Sequence, residues 1–286
     1  MSKTLIKISA WIILFILSFF TCSFVRDQEI ILETSPLNLK PQETIGVYDT
    51  QTKHFLGQSG WITGISFEVI GAPNLNLHHI VIANMNRQDW TCPDTFPERL
   101  HATAKELTPM ELPKNYGYYI DKRERLASYV HLYNPTDTAY ENVTVKIKIS
   151  FLPFNFFRKL TNVQPIWLDI KNCTWDATVY IGPKTKQKLK QEYAYKMPFD
   201  ARIVYAFGHL HNYGNKITIT KNYQNLIEFE PLPNPENIEK IKFFYRKNED
   251  VLLYKNDIVD MIADYDNQSL KPIDAMGLGI IYLEKR

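Results

Sequence analysis

Residues 142–151 set the tightest limit on what this chain can fold into: Val143, Val145, Ile147 and Ile149 alternate with Thr144, Lys146, Lys148 and Ser150. Successive side chains of an extended strand point to opposite faces, so this spacing buries one face and wets the other, a pattern with the period of a strand and not of a helix. Comparable short runs rich in Val, Ile, Thr and Tyr occur at residues 44–48, 61–70, 77–83 and 126–133. Turn clusters such as Gly71-Ala72-Pro73-Asn74 and Asn134-Pro135-Thr136-Asp137 separate them, as in an antiparallel sandwich.

Residues 152–160, Leu-Pro-Phe-Asn-Phe-Phe-Arg-Lys-Leu, break the alternation, and a second β series follows at 178–181, 201–207, 216–220, 226–229, 241–245, 251–254, 258–263 and 277–283. The basic stretch 184–190 reads as a solvated face, carried by a loop or a short helix. The expected organisation is an N-terminal segment 1–25, a β-sandwich over 26–155 and a second over 156–286. Seventeen Tyr and sixteen Phe against eleven Gly also favour β structure over helix.

A formal net charge of +2 and a pI near 8.2 create no strong field of either sign, which argues against a nucleic-acid partner. Lys3 and Lys7 precede an uncharged apolar run at residues 8–25, which Arg26 closes. That is the layout of an export signal, and the run is also long enough to stay as a membrane anchor. Cleavage beside Thr21-Cys22-Ser23 and retention are both open, and the expected location is extracytoplasmic. A lipid anchor on Cys22 is disfavoured by the bulky Phe19-Phe20-Thr21 before it. Past this segment Cys92 and Cys173 form an even pair, expected either as a disulfide in an oxidising compartment or as two separate thiols. Asn142, Asn172 and Asn267 open glycosylation sequons, which matter only in a eukaryotic source.

Chemistry concentrates in the histidines. Residues 208–214 read Gly-His-Leu-His-Asn-Tyr-Gly directly after the apolar run at 203–207. In a strand, His209 and His211 face the same side and can offer two imidazoles to one metal ion. His78 and His79 are adjacent, so they can share an ion only at a strand end or a bulge. His131 lies within Tyr129-Val130-His131-Leu132-Tyr133, and Met276 opens the last apolar strand. Methionine thioether is a soft ligand that favours Cu(I), and two imidazoles with one thioether suit a redox copper. Read singly, each has a plain alternative: a core or surface imidazole, or a thioether filling space. His54 and His101 fit no such pattern and are expected at the surface.

An ordered His-His, a later single His, a second-half His-x-His and a Met opening the last strand resembles the copper type II, ascorbate-dependent monooxygenases, the family of the peptidylglycine α-hydroxylating and dopamine β-monooxygenases. Leu112-Pro113-Lys114-Asn115-Tyr116-Gly117 is similar to the family's segment before the single His, and the match spans roughly residues 44–283. The resemblance implies two tandem antiparallel jelly-roll-like β-sandwiches with a solvent-filled cleft between them. It implies two copper ions, one held by His78, His79 and His131 and one by His209, His211 and Met276, the second being the catalytic site. Ascorbate or another reductant would be the cosubstrate, with O2 and a small molecule as the other reactants. Where the peptide-hydroxylating member has an arginine, an asparagine and a tyrosine near its substrate, this chain has Phe207, Leu278 and Ile280, so peptidylglycine is not the expected substrate. These apolar replacements are compatible with a pocket for an apolar molecule or with none.

Three readings follow: an exported copper monooxygenase, a protein that binds or delivers copper without turnover, and a metal-free β-sandwich interaction module.

Overall fold

The computed structural model describes residues 27–156, 158–174, 178–230 and 245–286, and leaves the side chains of 48–55 and 245–250 undescribed. The described residues are almost entirely strand, with one short 3-10 turn at Asn74–Asn76. The expectation of an all-β protein built from antiparallel sandwiches holds. No helix among the described residues is long and apolar enough to cross a membrane, and the run at 8–25 lies outside them.

One ten-stranded sheet runs through both halves of the chain. Its first part orders Gln28–Glu33, Tyr140–Pro153, Gly60–Ile70 and Tyr116–Ile120; its second orders Thr161–Asp169, Gly277–Lys285, Ala201–Leu210 and Tyr245–Leu253. The parts join through a short parallel contact, Tyr116 opposite Thr161 and Gly117 opposite Asn162. A four-stranded sheet of Thr44–Phe55, Arg125–Tyr133, Leu77–Gln88 and Pro97–Thr103 covers the first part. A five-stranded sheet containing Thr185–Lys190, Ile258–Asn267, Gly214–Lys221 and Gln224–Phe229 covers the second.

The alternation at 142–151 appears as written: Val143, Val145, Ile147 and Ile149 are buried, each 1% exposed or less. They belong to a core filled from the facing sheet by Ile80, Ile82, Val130 and Leu132. A second core lies between the second part of the ten-stranded sheet and the five-stranded sheet, around Ile217, Ile219, Val259, Met261, Ile281 and Leu283.

The strands Ala201–Leu210 and Gly277–Lys285 are apolar on both faces. Ile203, Ile281 and Leu283 enter the second core, while Tyr205, Phe207, Leu278, Ile280 and Tyr282 pack into the first. Each fully buried side chain of this kind is worth about 1.5–3 kcal/mol over leaving it in water. Cys92 and Cys173 form a disulfide that adds a covalent link between the halves, with Cα atoms 5.3 Å apart.

Two expectations need correction. The basic stretch 184–190 contains neither loop nor helix over most of its length: Thr185–Lys190 is an edge strand paired with Ile258–Asn267. Only Leu189 is buried there, while Lys186, Lys188 and Lys190 reach across to Asp266, Asp264 and Asp260. Edge strands carry such charges because a flat apolar edge would recruit other chains. His101 is not at the surface either. It is fully buried, its Nε2 3.2 Å from the Thr108 carbonyl and its Nδ1 3.0 Å from the Tyr282 hydroxyl, with its ring 4.8 Å from that of Phe207. The His54 side chain lies outside the description, as does the expected strand at 241–245 apart from Tyr245.

Two measurements test this account. The bridge closes a loop with a sequence separation of 81 residues, so the double variant Cys92→Ser/Cys173→Ser should lose roughly 4 kcal/mol, read from urea unfolding. Burial pushes the His101 imidazole down to about 4, against about 6.5 in the unfolded chain. Between those values the unfolded state holds a proton that the folded state refuses, so stability falls as pH drops through that window and gains no pH dependence from His101 above it. His101→Phe should remove on the order of 3 kcal/mol of that acid sensitivity in unfolding curves of the metal-free protein at pH 4 and pH 7.

Candidate metal centre

The histidines reach one place because of a single extra residue. Between Leu77–Gln88 and Arg125–Tyr133, Leu77 pairs with Leu132 and His79 with His131, which leaves His78 as a bulge. A bulge re-aims the side chains beside it. The condition under which adjacent histidines can share a ligand is thereby met. His78 Nδ1 lies 2.8 Å from His131 Nδ1, and ligand atoms of His78, His79 and His131 all fall within 4.8 Å of one another.

His209 ends the strand Ala201–Leu210 on the same face as Phe207, toward the first half, and is 4% exposed. His211 follows just beyond that strand, its backbone N–H held by the Tyr265 hydroxyl at 2.9 Å and by the Met276 carbonyl at 3.3 Å. Tyr265 also accepts from the Met276 N–H at 3.1 Å and donates to the Met276 carbonyl at 2.5 Å. One phenol therefore fixes the backbone at both His211 and Met276. Gly277 lets the last strand start close against the facing sheet, since a Cβ there would come within 2.7 Å of Ala263 Cβ.

The two trios implied by the resemblance do not stand apart. His79 Nε2 is 3.1 Å from His211 Nε2 and 3.3 Å from His209 Nε2, so His79 of the first set meets both imidazoles of the second. Met276 is tied through its backbone to His211, yet borders a cavity together with His78, His79 and His131. All six expected residues are thus at or beside one cluster, between the halves.

Electrostatics prepare the cluster for a cation. Burial, followed by the neighbouring imidazoles, holds His78 down to about 4 and His79 and His211 well below the ordinary histidine range; burial also lowers His131. These rings are therefore neutral at pH 7, the form that binds metal. His211 Nδ1 donates to the Asp274 carbonyl at 3.0 Å. The Glu106 carboxylate sits 3.4 Å from His209 Nδ1. Burial works to raise the Glu106 carboxyl, but its pairing with His209 prevails and lowers it, leaving an anion.

With Nδ1–H groups directed outward, both second-half rings turn Nε2 lone pairs toward His79 Nε2, and a single proton there can satisfy one of them. A bound cation would satisfy all three at once. Several imidazoles with a nearby thioether fit copper, which heads the affinity order for nitrogen ligands and accepts sulfur as Cu(I).

Two hollows border the cluster. One, of about 330 Å³, has His78, His79, His131 and Met276 on its wall beside apolar Val81, Met85, Ala127 and Trp167. The other, of about 490 Å³, is more polar, with Lys105, Glu106, Asn212 and Asp274 beside His78, His209 and His211. Phe207, Leu278 and Ile280 border neither hollow and are buried in the first core. At the apolar hollow, Arg99 is already paired with Asp89, its Nε 2.8 Å and its Nη2 3.1 Å from the carboxylate.

Glu106, Tyr265 and Asp274 were not singled out from sequence. One acidic residue among 31, or one strand tyrosine, carries no local signal of its role, because that role depends on a partner distant in sequence or on a backbone turn.

No family model matches the chain, and no curated protein is similar to it. Among solved structures, the major capsid protein P2 of bacteriophage PM2 is similar over 91% of this chain and 98% of that one, at 6% identity and a TM-score of 0.37. A chain of the empty top-component particle of cowpea mosaic virus is similar over 91% of each chain, at 10% identity and a TM-score of 0.40. Likenesses this distant say nothing about what the chain does. The coordinates themselves define an all-β protein of packed antiparallel sheets with a histidine cluster between its halves.

Carboxylates behind metal-bound imidazoles orient the ring and raise its basicity. Were the cluster to hold copper, Glu106→Gln would weaken its binding by roughly 10- to 100-fold, measured by competition with a chromophoric chelator. The unfolding midpoint of the metal-free protein should stay close to that of the parent.

Proposed function

We propose that this is an exported copper protein that hydroxylates a small, largely apolar molecule with O2 and an external reductant such as ascorbate. The observation carrying the proposal is the meeting of five imidazoles from three strands, with His79 Nε2 facing His209 and His211 Nε2, and His78 Nδ1 facing His131 Nδ1. His78, His79 and His131 would hold one copper, and His209 and His211, with Met276, the other, His79 standing between the two sets because its Nε2 also faces His209 and His211. Copper would supply the one-electron redox steps, so that R–H, O2, two electrons and two protons become R–OH and water.

The protein's own residues have definable parts. Glu106 and the Asp274 carbonyl orient His209 and His211; Tyr265 holds His211 and Met276 in register. The apolar hollow excludes water beside Met276 and accepts a hydrocarbon surface. Arg99, neutralised by Asp89, offers no free charge to a carboxylate, in keeping with a substrate other than a peptide acid. The disulfide fits an oxidising, extracytoplasmic location.

Copper binding or delivery without turnover is the second reading. What favours it is the placement of Phe207, Leu278 and Ile280 deep in the core, so that no side chain from those positions can anchor a substrate.

About two coppers per chain are expected after reconstitution, because structural ligand sets bind stoichiometrically, and elemental analysis checks this. None bound would remove both copper readings. Ascorbate-dependent O2 uptake that rises with an apolar substrate and yields its alcohol would support the enzyme. Uptake indistinguishable from that of free copper would leave the binding protein. His209→Ala should abolish the substrate-coupled uptake while the ion at His78, His79 and His131 remains bound.

A further inference from the structure

The apolar hollow beside Met276 has one carboxylate among the residues of its wall, that of Asp169. Asp169 ends the strand Thr161–Asp169 and is 4% exposed. Its partner on the neighbouring strand is Leu278, and the partner of Leu278 on the strand beyond is His209. Directly opposed residues of a sheet point to the same face, so Asp169, Leu278 and His209 form one row turned toward the first half. With strands about 4.8 Å apart, the backbone of Asp169 stands about 10 Å from that of His209.

Asp169 Oδ1 accepts the Lys171 N–H at 2.8 Å, which shapes the turn leading to Cys173. Burial pushes the carboxyl up to about 6, against the lowering effects of the Lys171 N–H and the Arg99 charge. A carboxylate has several acceptor positions, and one buried in the wall of a hollow gains from a ligand that brings it a further donor.

The rest of the wall narrows what that ligand is. Val81, Met85, Phe96 and Trp167 supply apolar surface. A cavity of about 150 Å³ holds benzene, so one of about 330 Å³ takes one or two rings. On the same wall the Arg99 guanidinium lies 4.4 Å from the ring centroids of both Phe96 and Trp167. An anionic ligand would meet Asp169. An ammonium group would give up its water to lie between that guanidinium and the histidine cluster, a costly transfer. A neutral hydroxyl meets neither obstacle and supplies the donor.

We propose, on the reading of this hollow as the place of the substrate, that Asp169 is its polar anchor and that the molecule it receives is a neutral one- or two-ring compound whose hydroxyl donates to the carboxylate. The anchor fixes one end of the ring system in the row of His209 and leaves the other end to the apolar wall.

The test uses the full chain as purified, at pH 7 with no reductant present, and reads binding from the fluorescence anisotropy of a naphthalene ring. 2-Naphthol should bind roughly 10- to 100-fold tighter than 2-methoxynaphthalene, which has the same rings and oxygen but no O–H to give a charged acceptor. Asp169→Asn keeps an oxygen for the Lys171 N–H and puts an amide NH2 in place of the other, so the two affinities should become similar. Val81→Phe, which narrows the hollow from the first half, should weaken both ligands. Equal affinity of the parent chain for the two, or binding of neither, would overturn the proposal. So would a preference that survives Asp169→Asn, affinities that Val81→Phe leaves unchanged, or tighter binding of 2-naphthylmethylammonium than of 2-naphthol. A chain that takes up no copper but keeps the preference would end the catalytic reading and leave the anchor standing; copper bound without the preference would do the reverse.

Discussion

Everything about the histidine cluster depends on the second face of two strands. Tyr205, Phe207, Leu278, Ile280 and Tyr282 seat the strands Ala201–Leu210 and Gly277–Lys285 on the core of the first sandwich. Were that face polar, the halves would lose the apolar packing that joins them and keep a parallel contact of two residue pairs, one disulfide and polar contacts such as Glu106 with His209 and Tyr116 with Glu284. Phe207 is two residues from His209 on the same face, so the side chain that docks the halves also aims the imidazole.

Inside the cluster, opposing demands are balanced. Burial keeps the rings neutral and able to ligate, but it also packs lone pairs against one another. Glu106 and the Asp274 carbonyl lie at the outer Nδ1 atoms of His209 and His211, leaving the inner nitrogens able to accept a proton or a cation. The cost is acid sensitivity: as pH falls toward 4, protons compete for the same nitrogens, and buried charged imidazoles destabilise the fold.

How much could be read beforehand varied with the range of the interaction. The strand at 201–207 was legible as a continuous apolar run, buried on both faces, and the one at 142–151 because one buried face imposes a period of two. The pair His209 and His211 was legible for the same reason. His78 and His79 defied that period, and the bulge at His78 explains why: pairing with Leu132 and His131 skips a residue, which depends on a strand about fifty positions away. Thr185–Lys190 was misread because its lysines look the same whether solvated in a loop or laid along a sheet edge opposite aspartates. His101 was misplaced because nothing next to it in sequence announces Tyr282 or Phe207. The strand Thr161–Asp169 went unseen, since a Pro and a Trp within it mask the alternation that its neighbours satisfy.

The disulfide between Cys92 and Cys173 has one more implication. It ties a loop of the first half to a loop of the second, beside Thr91, whose carbonyl lies 3.6 Å from Cys173 Sγ. Such a tie exists only where thiols are oxidised. A copy of this chain held among reducing thiols would lose that covalent tie and keep its halves together by packing, the short strand pairing and hydrogen bonds such as that from Tyr116 to Glu284.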